Sequence, residues 1–188
     1  GNYYVTLKIF TDLKNRCNSS MVSKSVYVNG KPTAVAEAKS NAALYETVLF
    51  SGLKSYDSDG QISEYKWDFG DGNTAEGVET THAFSAPGKY NVSLSVKDET
   101  NVENNSDLKN IEIIVNEGPI AKFELPEFKY VNEEITLDAS ESSDIDGKIS
   151  SFEWFADDVS ISKDEVFTTK FYSPGIKKIR LVVKDNSM

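Results

Sequence analysis

Residues Gly88-Lys89-Tyr90-Asn91-Val92-Ser93-Leu94-Ser95-Val96-Lys97 set Val92, Leu94 and Val96 on one side of the chain and Asn91, Ser93 and Ser95 on the other. Such alternation marks a half-buried β-strand, because successive side chains of an extended backbone point to opposite faces. The pattern returns at Val5, Leu7 and Ile9, at Ile111, Ile113 and Val115, and at Ile179, Leu181 and Val183, while no segment sustains a helical period. The chain also repeats itself without a gap at an offset of 87 residues: Pro32 recurs as Pro119, Asp57 as Asp144, Asp59 as Asp146, Gly60 as Gly147, Trp67 as Trp154, Phe84 as Phe171 and Asp98 as Asp185. Gly1, Tyr3, Val5 and Leu7 prefigure Gly88, Tyr90, Val92 and Leu94 in the same way. Self-similarity at a fixed period is the signature of an array. The expected organisation is the last two strands of an upstream repeat over residues 1–29, a complete unit over 30–117, and a unit lacking its final strand over 118–188.

Within one full repeat the alternation predicts seven short strands, near 33–38, 46–51, 62–69, 74–78, 79–85, 89–97 and 108–116. Short strands punctuated by Gly, Asp, Asn and Pro imply an all-β fold, a two-sheet sandwich with Greek-key links. The joints Asn29-Gly30-Lys31-Pro32 and Asn116-Glu117-Gly118-Pro119 hold no flexible Gly/Ser tract. Proline fixes its own φ and restricts its predecessor, so a stiff joint and an extended rod are expected. Incomplete sandwiches at the two ends would present open strand edges, which predicts strand exchange between chains, with the N-terminal hairpin filling a vacant last-strand slot.

Composition narrows the partners. The 188 residues carry 20 Lys and Arg against 30 Asp and Glu, a net charge of -10. That balance opposes the basic footprint needed to bind phosphates, so nucleic acid is not expected as a partner. No stretch approaches the roughly 18 apolar residues of a membrane span, so no membrane insertion by this segment is expected. The one cysteine, Cys17, has Asn104 as its counterpart, and the repeat therefore does not depend on cross-linking.

Residues 30–117 contain Trp67-Asp68-Phe69-Gly70-Asp71-Gly72, preceded by Asp57-Ser58-Asp59-Gly60-Gln61-Ile62 and followed by His82-Ala83-Phe84 and Pro87-Gly88-Lys89-Tyr90. By these strings the segment resembles the PKD (polycystic kidney disease) domain, an immunoglobulin-like β-sandwich of extracellular proteins. The second unit keeps Asp144-Ile145-Asp146-Gly147-Lys148-Ile149 and Trp154 but reads Phe155-Ala156-Asp157-Asp158-Val159 in place of the glycine-rich turn, and is identified as a divergent PKD-like unit. The string also has a local explanation. Trp67 and Phe69 share one strand face and can anchor the inter-sheet core, while Gly70, Asp71 and Gly72 suit a tight turn. Losing both glycines should change that turn and leave Phe155 more exposed than Phe69.

Asp57 and Asp59, two apart in a loop closed by Gly60, form a plausible hard-cation site that the array repeats as Asp144, Asp146 and Gly147. Calcium takes six to eight oxygens, so two aspartates are too few. The resemblance implies that calcium-binding members complete the site with residues just before the first strand and with an aspartate ending the penultimate strand. Those positions are Asn29, Gly30 and Asp98 in the first unit and Asn116, Glu117 and Asp185 in the second. Glu117 adds a carboxylate where Gly30 offers only a carbonyl, which favours the second unit. The bland alternative is that these aspartates only cap turns. In the partial upstream repeat, Thr11 stands at the third-aspartate position, with Asp12 beside it.

Catalysis finds little footing, and the chain is not expected to be an enzyme. His82, the only histidine, has Thr169 as its counterpart, and Cys17 has no histidine in its own repeat. A glycosidase pair built from Asp57 and Asp59 would require a whole active site to be duplicated with the repeat. Carbohydrate binding would need exposed rings, and both tryptophans occupy the same core-like position, leaving Tyr45, Tyr56, Tyr65, Tyr130 and Tyr172, of which Tyr65 should face the core. The expected function is a non-enzymatic extracellular or cell-surface spacer or adhesion module, stiffened by calcium at the joints, with a protein or carbohydrate surface ligand. The alternative is an accessory module of a secreted hydrolase that binds a polysaccharide or fibrous protein substrate.

Overall fold

The computed structural model describes residues 2–10 and 19–186. Cys17, Thr11 and Asp12 lie outside them. Within the described residues the chain forms β1 (Asn2–Phe10), β2 (Ser19–Tyr27), β3 (Asn41–Ala43), β4 (Val48–Ser51), β5 (Ile62–Asp68), β6 (Thr74–Glu76), β7 (Glu79–His82), β8 (Gly88–Asp98), β9 (Ser106–Asn116), β10 (Glu134–Asp138), β11 (Ile149–Ala156), β12 (Val159–Ser162), β13 (Val166–Lys170) and β14 (Ile179–Asp185). The sheets run β1-β2, β4-β7, β3-β9-β8-β5-β6, β10-β13 and β12-β11-β14. This is an all-β architecture, as the alternation predicts, and an immunoglobulin-like one, as the resemblance implies. Contacts gather the described residues into two compact units, one within 1–39, 48–82 and 91–112 and the other within 40–47, 83–90 and 113–188.

In the first unit β4 pairs antiparallel with β7, and β5 lies between β6 and β8. Val48 and Phe50 point inward from β4, and Trp67, Phe69, Val92, Leu94 and Val96 meet them from the other sheet, all buried. Phe50 packs its ring 5.6 Å from Trp67 and 5.1 Å from Phe69, centroid to centroid. Burying aromatic side chains dominates the energetics of so small a core. Trp67 keeps its one polar atom satisfied by donating Nε1–H to the Gly77 carbonyl at 3.1 Å. The second unit repeats the device. Trp154 donates to the Asp164 carbonyl at 3.0 Å and sits in a core of Ile135, Leu137, Ala139 and Leu181, with Phe123 edge-on at 5.0 Å.

The predicted first strand, 33–38, does not form. Only Thr33 bridges Tyr56 and Glu37 bridges Ser51. Side chains take the intervening amides: Ala34 N–H donates to Asp107 and Val35 N–H to the Ser55 hydroxyl, each at 2.9 Å. The second unit preserves this, with Lys122 N–H donating to the Ser142 hydroxyl. The short β3, which the alternation did not reveal, instead runs parallel to the end of β9. Three residues are too few to show a period.

The turn after β5 changes between the repeats as expected. In the first, Gly70 and Gly72 take φ of 77° and 90°, Gly70 N–H donates to Asp68, and Asn73 N–H to Asp71. His82 closes this turn, its ring stacked on Phe69 at 4.1 Å and Nε2 2.7 Å from Asp71 Oδ2, so its role is structural. In the second, Asp157 (φ 50°) and Asp158 (φ 64°) make a two-residue hairpin turn between the paired Ala156 and Val159. Both are left-handed without glycine. Phe155 is half-buried, more exposed than Phe69, and is covered by the Arg180 guanidinium 4.0 Å from its ring centroid.

Hairpin β1–β2 forms a sheet of its own, with Val5 opposite Lys24 and Leu7 opposite Val22. Tyr3, Val5 and Leu7 stay at least half exposed, whereas Val92 and Leu94, the counterparts of Val5 and Leu7, are fully buried.

Candidate metal centre

The loop Asp57-Ser58-Asp59-Gly60 is shaped by its own aspartate, since Asp57 Oδ1 lies 3.4 Å from the Asp59 N–H that donates to it. A Cβ at Gly60 would come within 2.8 Å of Asp57 Oδ2, so the glycine leaves the room that this carboxylate occupies. From the joint, Gly30 N–H donates to Asp59 Oδ1 at 2.9 Å and Asn29 Nδ2 donates to Asp98 Oδ2 at 2.8 Å. Asn29 Nδ2 also donates to the Gly30 carbonyl at 3.0 Å, so a hydrogen-bonded path links all five predicted positions of the first repeat, Asp57–Asp59–Gly30–Asn29–Asp98. Asp98 is almost completely buried at the end of β8, where Thr100 donates to its Oδ1 from both N–H and Oγ1. Burial pushes the Asp98 carboxyl up, but the Asn29 and Thr100 hydrogen bonds outweigh it and hold the group below the ordinary aspartate value.

The second repeat builds the same frame. Asn116 Nδ2 donates to Asp185 Oδ2 at 2.8 Å, Asp146 N–H lies 3.3 Å from Asp144 Oδ1, and Glu117 N–H faces the Asp146 oxygens at 3.4 and 3.2 Å. The looser last contact has a steric cause visible in the first repeat. A Cβ at Gly30 would collide with Asp59 Oδ1, and Glu117 carries that atom. Gly147 again stands against its carboxylate, 2.6 Å from Asp144 Oδ2 for an added Cβ.

Three oxygens in these frames are buried without a hydrogen-bond partner: Asn29 Oδ1, Asp57 Oδ2 and Asp144 Oδ2. A buried acceptor left unmatched costs about 1–3 kcal/mol, more when charged, so each calls for a counterpart. Donor chemistry of carboxylate and amide oxygens suits a hard cation. Among the described residues, however, no three His, Cys, Asp or Glu side chains are gathered closely enough to hold a metal ion by themselves. Amide and backbone oxygens would have to complete a coordination shell.

Comparison with known sequences resolves the family. The PKD domain profile matches residues 29–113 and again 116–187. The chain belongs to the PKD domain family. Its PKD segments are 34% identical over 114 residues to Collagenase ColA of Clostridium perfringens, covering 61% of this chain and 10% of that protein. They are 36% identical over 97 residues to a microbial collagenase of Vibrio alginolyticus, covering 52% and 12%. Pre-pro-metalloprotease PrtV of Vibrio cholerae is 32% identical over 138 residues, covering 73% of this chain and 15% of that one. The chain thus spans only about a tenth to a seventh of the curated relatives it matches. The PKD1 domain of PrtV, as a solved structure, shares 34% identity over 45% of this chain and 96% of its own, with a TM-score of 0.39. The homologous segments are PKD modules carried by collagenases and a protease. Among the described residues no helix is long and apolar enough to cross a membrane.

The PKD frame also contains residues that motif reading missed. Asn104 Nδ2 donates to the Asn29 carbonyl at 3.0 Å, and Tyr27 Oη donates to Asp59 Oδ2 at 2.9 Å. That bond holds the Asp59 carboxyl below its ordinary value and raises the Tyr27 phenol. Ser63 and Ser150 bond the backbone carbonyls that flank and include Asp98 and Asp185. Their spacing of one repeat was a usable signal, whereas nothing in the sequence near Tyr27 pointed to Asp59. Of the tyrosines, Tyr45, Tyr56, Tyr130 and Tyr172 are exposed, while Tyr65 is only half-buried rather than in the core. Tyr45 sits in a turn with φ 61°, matched one repeat later by Asn132 at φ 64°.

Proposed function

We propose that the chain is a non-catalytic PKD tandem whose joints are tied to their loops by calcium, serving as an extracellular spacer within a larger protein. The observation that carries this reading is the unmatched buried oxygen at the same place in both repeats, Asp57 Oδ2 and Asp144 Oδ2. Asn29, Gly30, Asp57, Asp59 and Asp98 would hold the first ion, and Asn116, Glu117, Asp144, Asp146 and Asp185 the second. A divalent charge would offset the mutual repulsion of the clustered carboxylates. Asn29 and Asn116 lie at the joints, so each ion would restrain the residues that precede its repeat. With free calcium at about 100 times the dissociation constant, linkage adds roughly 2.7 kcal/mol per site.

Thermal unfolding of the chain in EDTA and in millimolar calcium tests the reading, with Asp57→Ala and Asp144→Ala beside it. A calcium-dependent rise in melting temperature, partly lost in each variant, is expected. No rise in any protein would reduce these aspartates to turn caps and leave a plain spacer. A second reading is favoured by the relatives' names: several are collagenases, enzymes acting on an extracellular fibrous protein. On that reading the module is an accessory that engages a fibrous protein substrate for a catalytic domain elsewhere. Pull-down on insoluble collagen fibres separates it from the spacer, which would stay in the supernatant.

A further inference from the structure

Tyr27 belongs to none of the ligand positions that the repeat pattern picks out, yet it touches one of them directly. It ends β2, is 47% exposed, and donates its hydroxyl to Asp59 Oδ2 at 2.9 Å while Gly30 N–H holds Oδ1 at 2.9 Å. Both oxygens of one carboxylate are therefore held by groups outside its own loop. One repeat later the counterpart is Ile114, 38% exposed, which has no donor to offer. There Asp146 meets Glu117 N–H at 3.2 and 3.4 Å and is itself exposed.

Resting on the calcium reading above, we propose that Tyr27 is a positioning residue for the first cation site, holding the Asp59 carboxylate in its ligating orientation, and that Ile114 leaves the second site less organised. A carboxylate oxygen has two lone pairs, so it can accept from the phenol and still face an ion. Holding the carboxylate beforehand removes side-chain freedom that binding would otherwise have to remove. Hydrogen bonds to a ligating carboxylate tune metal affinity in this way, and their loss typically weakens binding by about 10- to 100-fold. A neutral hydroxyl suits the task. A lysine there would orient Asp59 equally well but would place a positive charge beside the incoming cation.

Calorimetric titration with calcium chloride tests this in chains where one site is disabled, Asp144→Ala leaving the first and Asp57→Ala leaving the second. Tyr27→Phe is expected to weaken the first site on the order of tenfold and to leave the second unchanged. Ile114→Tyr, at a position 38% exposed, is expected to strengthen the second. Melting curves in EDTA show whether each variant is folded. An unchanged or tighter first site in Tyr27→Phe would overturn the positioning role while leaving the calcium reading intact. If neither single-site chain binds calcium, the cation reading fails and this inference fails with it.

Discussion

Replacing Gly60 by alanine isolates the packing of a single carboxylate oxygen. Gly60 is not among the glycines with positive φ, so its backbone does not by itself demand glycine. The added methyl would come 2.8 Å from Asp57 Oδ2, which is buried, and would push the side chain off the Asp59 N–H that its other oxygen accepts. Losing that hydrogen bond and shifting a buried charge costs on the order of 1–2 kcal/mol. Alanine returns about 0.4–1 kcal/mol by restricting the unfolded chain. A net loss of up to about 1.6 kcal/mol is expected. In an Asp57→Ala background the obstructing oxygen is gone, and the same substitution should stabilise by about 0.4–1 kcal/mol. A double-mutant cycle followed by urea denaturation in EDTA, read through the buried tryptophans, should therefore show a coupling of roughly 1–2 kcal/mol. An equal cost in both backgrounds would refute the reasoning and place the need for glycine in the loop backbone.

Asp158→Gly should stabilise the second repeat by up to about 1 kcal/mol, because it relieves a left-handed non-glycine residue and gives up only the exposed 3.5 Å pair with Arg180. A drop in the urea midpoint would count against that account. Asp59, Asp71 and Asp98 all have lowered carboxyl values, so their stabilising contribution is full above the ordinary aspartate range near 3.8 and is lost as pH falls through the lowered folded values. The urea midpoint should be flat in this respect from about pH 5 upward and fall below about pH 4, less steeply in Asp98→Asn, which starts from lower stability. A slope as steep as in the parent chain would remove Asp98 from the explanation. Exchange of the β1–β2 hairpin between copies, suggested by the exposed Tyr3, Val5 and Leu7, should appear as concentration-dependent association in sedimentation velocity and be suppressed by Val5→Lys with Leu7→Lys. A single monomeric species at every concentration would dismiss it.

The alternation of Val92, Leu94 and Val96, the recurrence of Trp67 as Trp154, and the turn glycines determine the all-β class, the core tryptophans and the change of turn after β5. Each is a local matter of which face a side chain occupies or which φ a residue tolerates, and a linear pattern records such things. The candidate ligands were legible for a related reason, because duplication places Asp57, Asp59 and Asp98 at the same offsets as Asp144, Asp146 and Asp185. Tertiary structure alone decided what depends on distance between residues far apart in the chain. The 33–38 segment fails to become a strand because Asp107 and Ser55 reach its amides. Asp59 is held by Tyr27, 32 residues away, and Asp98 by Asn29, 69 away. The Tyr27–Asp59 bond leaves no period in sequence, since it requires only that two side chains arrive at the same place with complementary atoms; the Asn29–Asp98 and Ser55–Val35 bonds do recur one repeat later, yet which atoms they join is a matter of the fold.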